Sequence, residues 1–207
     1  MLDTLADIAD SLNVVLTKFG FPTHPANSYR YFTGGGMDGL VRRILPENHR
    51  DEQTLSKCLA AAKEEYHKRW ANHTKPYPGI SELLDALERL KIPKIVLSNK
   101  PDEFTQIMVK KLLPCWSFRI VRGANSLSPK KPDPAVALEI ADELRIPPEK
   151  FLYLGDTNTD MLTANAAGMY AVGVLWGFRG EEELAANGAR ILVKAPCEVL
   201  TILGVEQ

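Results

Sequence analysis

From Ile80 to Val193 the chain alternates between helices, legible as apolar residues at steps of three or four, and apolar runs only a few residues long. Ile80, Leu83, Leu84, Leu87 and Leu90 mark the first helix, and Lys94-Ile95-Val96-Leu97 is the first strand. The same reading gives helix 103–113, strand 118–121, helix 134–144, strand 151–154, a helix over 160–167 that stops at Gly168, and strands 170–175 and 190–193. Strands connected through helices run parallel, and a parallel sheet needs cover on both faces. The pattern predicts an α/β fold.

The residues before this alternation read differently. Leu5, Ile8, Leu12, Val15, Leu16 and Phe19 predict one helix, with Asp3 or Thr4 as its cap and Gly20 as its stop. A brief helix is expected over 37–45 and a long one over 52–72, with no strand before Lys75. Pro76-Tyr77-Pro78-Gly79 then breaks any continuing helix and marks a boundary. A chain of 207 residues accommodates one core with a smaller insert.

Charge narrows the choice of partner. With 25 basic and 26 acidic residues the net charge is -1, which argues against a nucleic-acid groove or a polybasic membrane anchor. No apolar stretch reaches the roughly 18 residues of a bilayer span, and Met1-Leu2-Asp3-Thr4 lacks the basic start and apolar middle of a signal peptide. A cytoplasmic protein with a small-molecule partner is expected, its oligomeric state open. Cys58, Cys115 and Cys197 form no CxxC pair and are expected to be reduced packing residues.

Ligands of open parallel sheets bind beyond the carboxyl ends of the strands, and three segments lie there. Ser98-Asn99-Lys100 offers a hydroxyl and a following N–H to a phosphoryl oxygen, although such a pair also makes an ordinary turn. In Lys130-Lys131-Pro132-Asp133-Pro134 the prolines restrict where Lys131 can point, and a held ammonium neutralises phosphate charge; alone, the segment also reads as a solvated basic loop. In Gly155-Asp156-Thr157-Asn158-Thr159-Asp160 a glycine turns the chain off the strand, and two carboxylates on the loop and first helical turn suit a hard cation. Asp160 also reads as a residue serving the helix N-terminus.

Taken in order, Ser-Asn-Lys after a strand, Lys-Pro-x-Pro, and a strand ending in Gly-Asp-x-x-x-Asp resemble motifs two to four of the haloacid-dehalogenase superfamily. The preceding helices and Tyr77-Pro78-Gly79 are similar to the cap and cap-to-core return of its phosphoglycolate phosphatase group. The resemblance covers essentially the whole chain. It implies a Rossmann-like core over residues 1–5 and 76–207, a mobile helical cap over 6–75, Mg²⁺, and hydrolysis of a small phosphorylated metabolite through an aspartyl-phosphate. The substrate implied is 2-phosphoglycolate, with pyrophosphate or a sugar phosphate as alternatives. By the same resemblance Ser98 and Lys131 bind the phosphoryl group, with Asn99 beside them, Asp156 binds Mg²⁺, and Asp160 supports Lys131 or the metal's water shell. Arg42 and Arg43 become candidates to meet a substrate carboxylate.

The family's first motif, Asp-x-Asp-Gly-Thr, supplies the nucleophile a few residues before a segment like Leu2-Asp3-Thr4-Leu5, so the nucleophile is expected upstream of residue 1. Asp3 matches an acidic residue after that motif and reads as a helix cap. The strand carrying the motif belongs between those ending at Ser98 and Asp156. Without it, either these two strands close up and pair, or eight to ten backbone groups lose partners at about 1 to 3 kcal/mol each, as much as the whole stability of a domain at about 5 to 15 kcal/mol. A non-catalytic phosphate- and Mg²⁺-binding protein is the alternative. Two rivals fit worse. Gly34, Gly36 and Gly39 match GxGxxG outside a βαβ setting, and a phosphorylated receiver domain would place its Asp before Ser and Lys.

Overall fold

The computed structural model describes residues 1–205. The chain divides into two compact units, Met1–Lys75 and Pro76–Gln207, so residues 1–5 side with the helical unit.

In the helical unit, α1 (Leu5–Lys18) packs on α4 (Glu52–Arg69), and α2 (Tyr29–Phe32) and α3 (Gly36–Ile44) complete the layer. The apolar stripe read from sequence is the buried one: Ile8, Leu12, Val15 and Leu16 of α1 are almost fully shielded. Asp51 caps α4 by accepting the Thr54 N–H at 3.0 Å. Neither expected cap of α1 takes that form. Thr4 stands at the cap position without a side-chain bond, and Asp3 Oδ1 accepts the Leu5 N–H at 3.2 Å.

The expectation of no strand before Lys75 is corrected by β1 (Leu2–Asp3), which pairs with β2 (Lys75–Pro76). Two residues are too few to show a period of two, so the pairing leaves no sequence trace. Beside it, Asp7 is 1% exposed and clasps the returning chain. Its carboxylate accepts the His73 N–H at 3.0 Å, the Thr74 N–H at 2.8 Å and the Thr74 hydroxyl at 2.6 Å.

In the second unit, α5 (Ile80–Arg89), β3 (Ile95–Pro101), α6 (Asp102–Leu112), β4 (Ile120–Ala124), α7 (Ala135–Leu144), β5 (Leu152–Gly155), α8 (Asn158–Ala166) and β6 (Tyr170–Val174) follow the predicted alternation. The short α9 (Glu181–Ala186), β7 (Ile191–Val193) and α10 (Glu198–Ile202) close it. The pairings of β3 with β4, β5 with β6 and β6 with β7 are all parallel. Side chains alternate across β6: Ala171 faces a cluster with Met161, Ala164 and Leu184, whereas Val172 and Val174 face one with Leu83, Val193 and Val199. Helices therefore cover both faces, as a parallel sheet requires.

The sheet is nonetheless in two hydrogen-bonded parts, β3-β4 and β5-β6-β7. Among the described residues no ladder joins β3 to β5, so these strands do not close up on each other. Leu97 of β3 packs against the apolar clusters of both parts, which makes the strands neighbours across a slot. Leu154 on β5 is 38% exposed, unusual for a strand flanked by helices, because that edge has no neighbour. Among the cysteines only Cys58 is buried; Cys115 and Cys197 are exposed, which corrects the packing role expected for all of them.

Replacing Asp7 with Ala is expected to destabilise the helical unit by about 3 kcal/mol, since it leaves buried N–H groups of the returning chain without an acceptor. Urea unfolding followed by far-UV circular dichroism measures it; a loss below 1 kcal/mol would show that water replaces the carboxylate readily.

Candidate active site

Asp160 owes its position to the start of α8. Thr157 Oγ1 accepts the Asp160 N–H at 3.3 Å while Asp160 Oδ2 accepts the Thr157 N–H at 3.1 Å, a reciprocal capping box. The same Oδ2 accepts the Thr157 hydroxyl at 2.7 Å and the Asp156 N–H at 3.3 Å. Gly155 permits this folding back, because a Cβ there would stand 2.1 Å from the Asp160 Cβ. The capping role and the site role thus fall to one carboxylate: its other oxygen, Oδ1, receives Lys131 Nζ at 2.7 Å.

Lys131 Nζ donates secondly to the Leu97 carbonyl at 3.1 Å. An ammonium has three donors, and the Tyr153 hydroxyl lies near enough to Lys131 to compete for the third. Lys131 is held at its backbone as well. The Asn99 amide group donates to the Lys131 carbonyl at 3.0 Å, and Asn99 Oδ1 accepts the Lys131 N–H at 2.9 Å. Both ends of the Asn99 amide are thereby engaged with Lys131, which makes it a positioning residue in this arrangement. Ser98 Oγ accepts the Lys100 N–H at 3.0 Å, the ordinary turn bond, and keeps its own hydroxyl proton to donate. A small cavity opens beside Ser98, Asn99 and Lys131 against Arg122, Asn125 and Ser128.

The charges are arranged unequally. Burial alone would lower the pKa of Lys131, but the Asp160 carboxylate more than offsets it and holds the ammonium above its ordinary value. Burial likewise works against the Asp160 carboxylate, and Lys131 with the Thr157 bonds outweighs it, so Asp160 stays below the usual range. Asp156 goes the other way: burial first, then the Asp160 charge, raise its pKa.

Three further residues at this site carried no weight in the sequence. Tyr153 on β5 buries its hydroxyl near Lys131 and Thr163 without close hydrogen-bond geometry to either, and burial pushes its pKa up to about 12. The turn Trp176-Gly177-Phe178-Arg179 after β6 closes on Asp156: the Phe178 N–H donates to Asp156 Oδ2 at 3.0 Å and the Arg179 N–H to the Asp156 carbonyl at 3.1 Å. Strand-end position alone could have singled out this turn. Arg42 and Arg43 lie on α3 of the helical unit, both exposed. Arg43 Nη1 donates to the Phe32 carbonyl at 2.6 Å, with its guanidinium over Gly35 and Gly39.

An ammonium locked to one aspartate, beside a second aspartate, at the carboxyl ends of parallel strands fits an α/β protein that handles phosphorylated small molecules. Comparison with known proteins agrees. The description of haloacid dehalogenase-like hydrolases matches residues 1–174. The chain is 31% identical over 182 residues to a phosphoglycolate phosphatase of Neisseria gonorrhoeae, covering 86% of this chain and 77% of that one. It is 27% identical over 204 residues to a phosphoglycolate phosphatase of Pseudomonas syringae pv. tomato, covering 93% and 72%. A crystal structure of a candidate phosphoglycolate phosphatase from Lactobacillus delbrueckii subsp. bulgaricus superposes with a TM-score of 0.92 at 28% identity, covering 98% and 93%. The chain therefore belongs to the haloacid dehalogenase-like hydrolases, as an enzyme of the phosphoglycolate phosphatase-like kind.

Replacing Asp160 with Asn leaves the buried Lys131 ammonium without its counter-charge and is expected to cost about 3 to 5 kcal/mol at neutral pH. Because the Asp160 pKa is depressed in the folded protein, its contribution is present above about pH 3.9 and is lost as pH falls through the folded value. The gap between variant and wild type should then narrow below about pH 4 in urea titrations; a gap independent of pH would show that packing, not charge, is responsible. Tyr153→Phe removes this loosely placed buried hydroxyl and is expected to leave thermal stability unchanged or raise it by about 1 kcal/mol. A clear fall in Tm would show that the hydroxyl is paired in solution.

Proposed function

We propose that this protein hydrolyses a small phosphate monoester, 2-phosphoglycolate, with the help of Mg²⁺. The observation that carries the reading is the Lys131 ammonium, locked to Asp160 and the Leu97 carbonyl, beside a second buried carboxylate, Asp156. The names of the relatives support the choice of substrate, and the family supports the choice of reaction.

The donor set suits Mg²⁺. Asp156 Oδ2 is engaged by the Phe178 N–H, and a carboxylate of this kind is a hard oxygen ligand. Mg²⁺ characteristically takes one or two carboxylates and fills its octahedron with water and phosphate oxygens. One such carboxylate is what this site offers, and the described residues hold no cluster of three or more acidic, His or Cys ligands. When bound, the ion would neutralise charge on the phosphoryl oxygens.

The residues of the chain supply the rest. Lys131 donates its third N–H to a phosphoryl oxygen, and Ser98 donates its hydroxyl to another, so that charge developing in the transition state meets donors already in place. Asn99 keeps Lys131 from swinging away. Neither aspartate is free to attack: both oxygens of Asp160 are engaged, and Asp156 is assigned to the cation. The attacking carboxylate is a third group, entered through the slot between β3 and β5. The exposed arginines Arg42 and Arg43 remain the candidates for the substrate's own carboxylate.

The test is phosphate release from 2-phosphoglycolate, pyrophosphate and glucose 1-phosphate, with and without Mg²⁺, by the 207-residue chain and by a form carrying an additional N-terminal strand that ends in Asp. Turnover is expected only from the extended form, only with Mg²⁺ and fastest on 2-phosphoglycolate, and Asp156→Ala should abolish it. Equal turnover by both forms would refute the need for a third carboxylate. A faster reaction with pyrophosphate or the sugar phosphate would overturn the substrate. The engagement of both oxygens of Asp160 also favours a second reading, a phosphate- and Mg²⁺-binding protein without turnover; calorimetric binding of inorganic phosphate with no hydrolysis by either form would establish it.

A further inference from the structure

Neither the capping box nor the two bonds of the ammonium account for the buried Tyr153 hydroxyl. Tyr153 pairs with Ala171 in the ladder of β5 and β6, and its ring packs against the cluster of Ala137, Met161 and Ala164. Strand and packing together leave the hydroxyl beside Lys131 and Thr163, and it closes on neither.

Those two neighbours nevertheless fix the direction of any bond it makes. Thr163 on α8 is fully buried and donates its own hydroxyl proton to the Thr159 carbonyl at 2.8 Å, so its oxygen meets Tyr153 as an acceptor. An ammonium only donates. The phenol proton therefore turns to Thr163, and the phenol oxygen offers a lone pair to the third N–H of Lys131, whose other two serve Asp160 and the Leu97 carbonyl. With its proton so placed, Tyr153 is no donor to a ligand.

We propose that Tyr153 loosens the grip of this site on phosphate by offering Lys131 a neutral acceptor for the N–H that a phosphoryl oxygen needs. The inference rests on the reading of Lys131 as a phosphoryl ligand. Tyr153 acts through Lys131 and is a positioning residue. A phosphoryl oxygen carries negative charge and wins the N–H, because charge-assisted bonds are the stronger ones. Each such ligand still gives up the part of its gain that the phenol already held. The loss is the same for a phosphorylated substrate and for the phosphate product, so it weakens binding uniformly and eases release.

The experiment is calorimetric titration of the 207-residue chain with inorganic phosphate in MgCl₂, on wild type, Tyr153→Phe, Thr163→Val and Thr163→Ser. Y153F keeps the ring and removes the rival acceptor, so its dissociation constant for phosphate should fall about threefold, the low end for a neutral hydrogen bond because the contact is loose. T163V takes away the acceptor that turns the phenol and should shift in the same direction by a smaller factor, whereas T163S keeps that acceptor and should match wild type. A residue that only supported the fold would weaken phosphate binding on removal, the opposite sign. Unchanged or weaker binding by folded Y153F overturns the inference and leaves Lys131 as a phosphoryl ligand. Should Y153F fail to fold, a dissociation constant for T163V at or above the wild-type value overturns it alone. If neither wild type nor Y153F binds phosphate, the reading of Lys131 falls, and this inference with it.

Discussion

The bond between Lys131 and Asp160 is the contact on which the rest of this site depends. Both side chains are largely buried, 13% and 9% exposed, and a buried charge is tolerated only when it is paired and hydrogen-bonded. Each partner meets that condition through main-chain neighbours: Lys131 through the Leu97 carbonyl, Asp160 through the N–H groups of Asp156 and Thr157. The pair thus fastens together the end of β3, the loop before α7 and the start of α8. Any ligand that reaches the third N–H of Lys131 meets donors whose places are already fixed.

That fastening matters because the backbone does not provide it. The ladders of the core end at β3 on one side and β5 on the other. What spans the slot is side-chain material: the aliphatic Leu97, shared by two apolar clusters, and the Lys131 ammonium above it. Leu154, 38% exposed, lies on β5, whose edge toward β3 carries no ladder among the described residues.

Much of this was legible in the sequence, for identifiable reasons. Alternating helices and short apolar runs have strong periods, so the elements from Ile80 to Val174 came out with the right order and type. Strand ends are privileged positions in parallel sheets, and that rule singled out Ser98, Lys131, Asp156 and Asp160, of which the structure joins Lys131 to Asp160 and places Ser98 within β3. What escaped was set by contacts distant in sequence or too short to have a period. Asp7 meets partners 66 and 67 residues away. β1 and β2 are two residues each, and α9 and α10 one turn or little more. Asn99 was taken for a ligand residue; its engagement with the Lys131 backbone, 32 residues on, depends on how two loops meet.

Asp156 and Asp160 are the same residue type one helical turn apart, and both are buried, yet their proton affinities move in opposite directions. The difference lies in what each has for company. Asp160 has a cation and several donors, so its charge is stabilised despite burial. For Asp156, burial and then its neighbour's negative charge outweigh the backbone donor on Oδ2, so its ionised form is disfavoured. A fold that meant only to satisfy both carboxylates would have supplied a second lysine or more N–H groups. Asp160 is satisfied by its partners, while burial and the neighbouring charge work against the ionised form of Asp156. Separating the two proton affinities is how a pair of identical side chains takes on two roles. Here one role is structural, holding the ammonium; under the proposed function the other is to meet a cation.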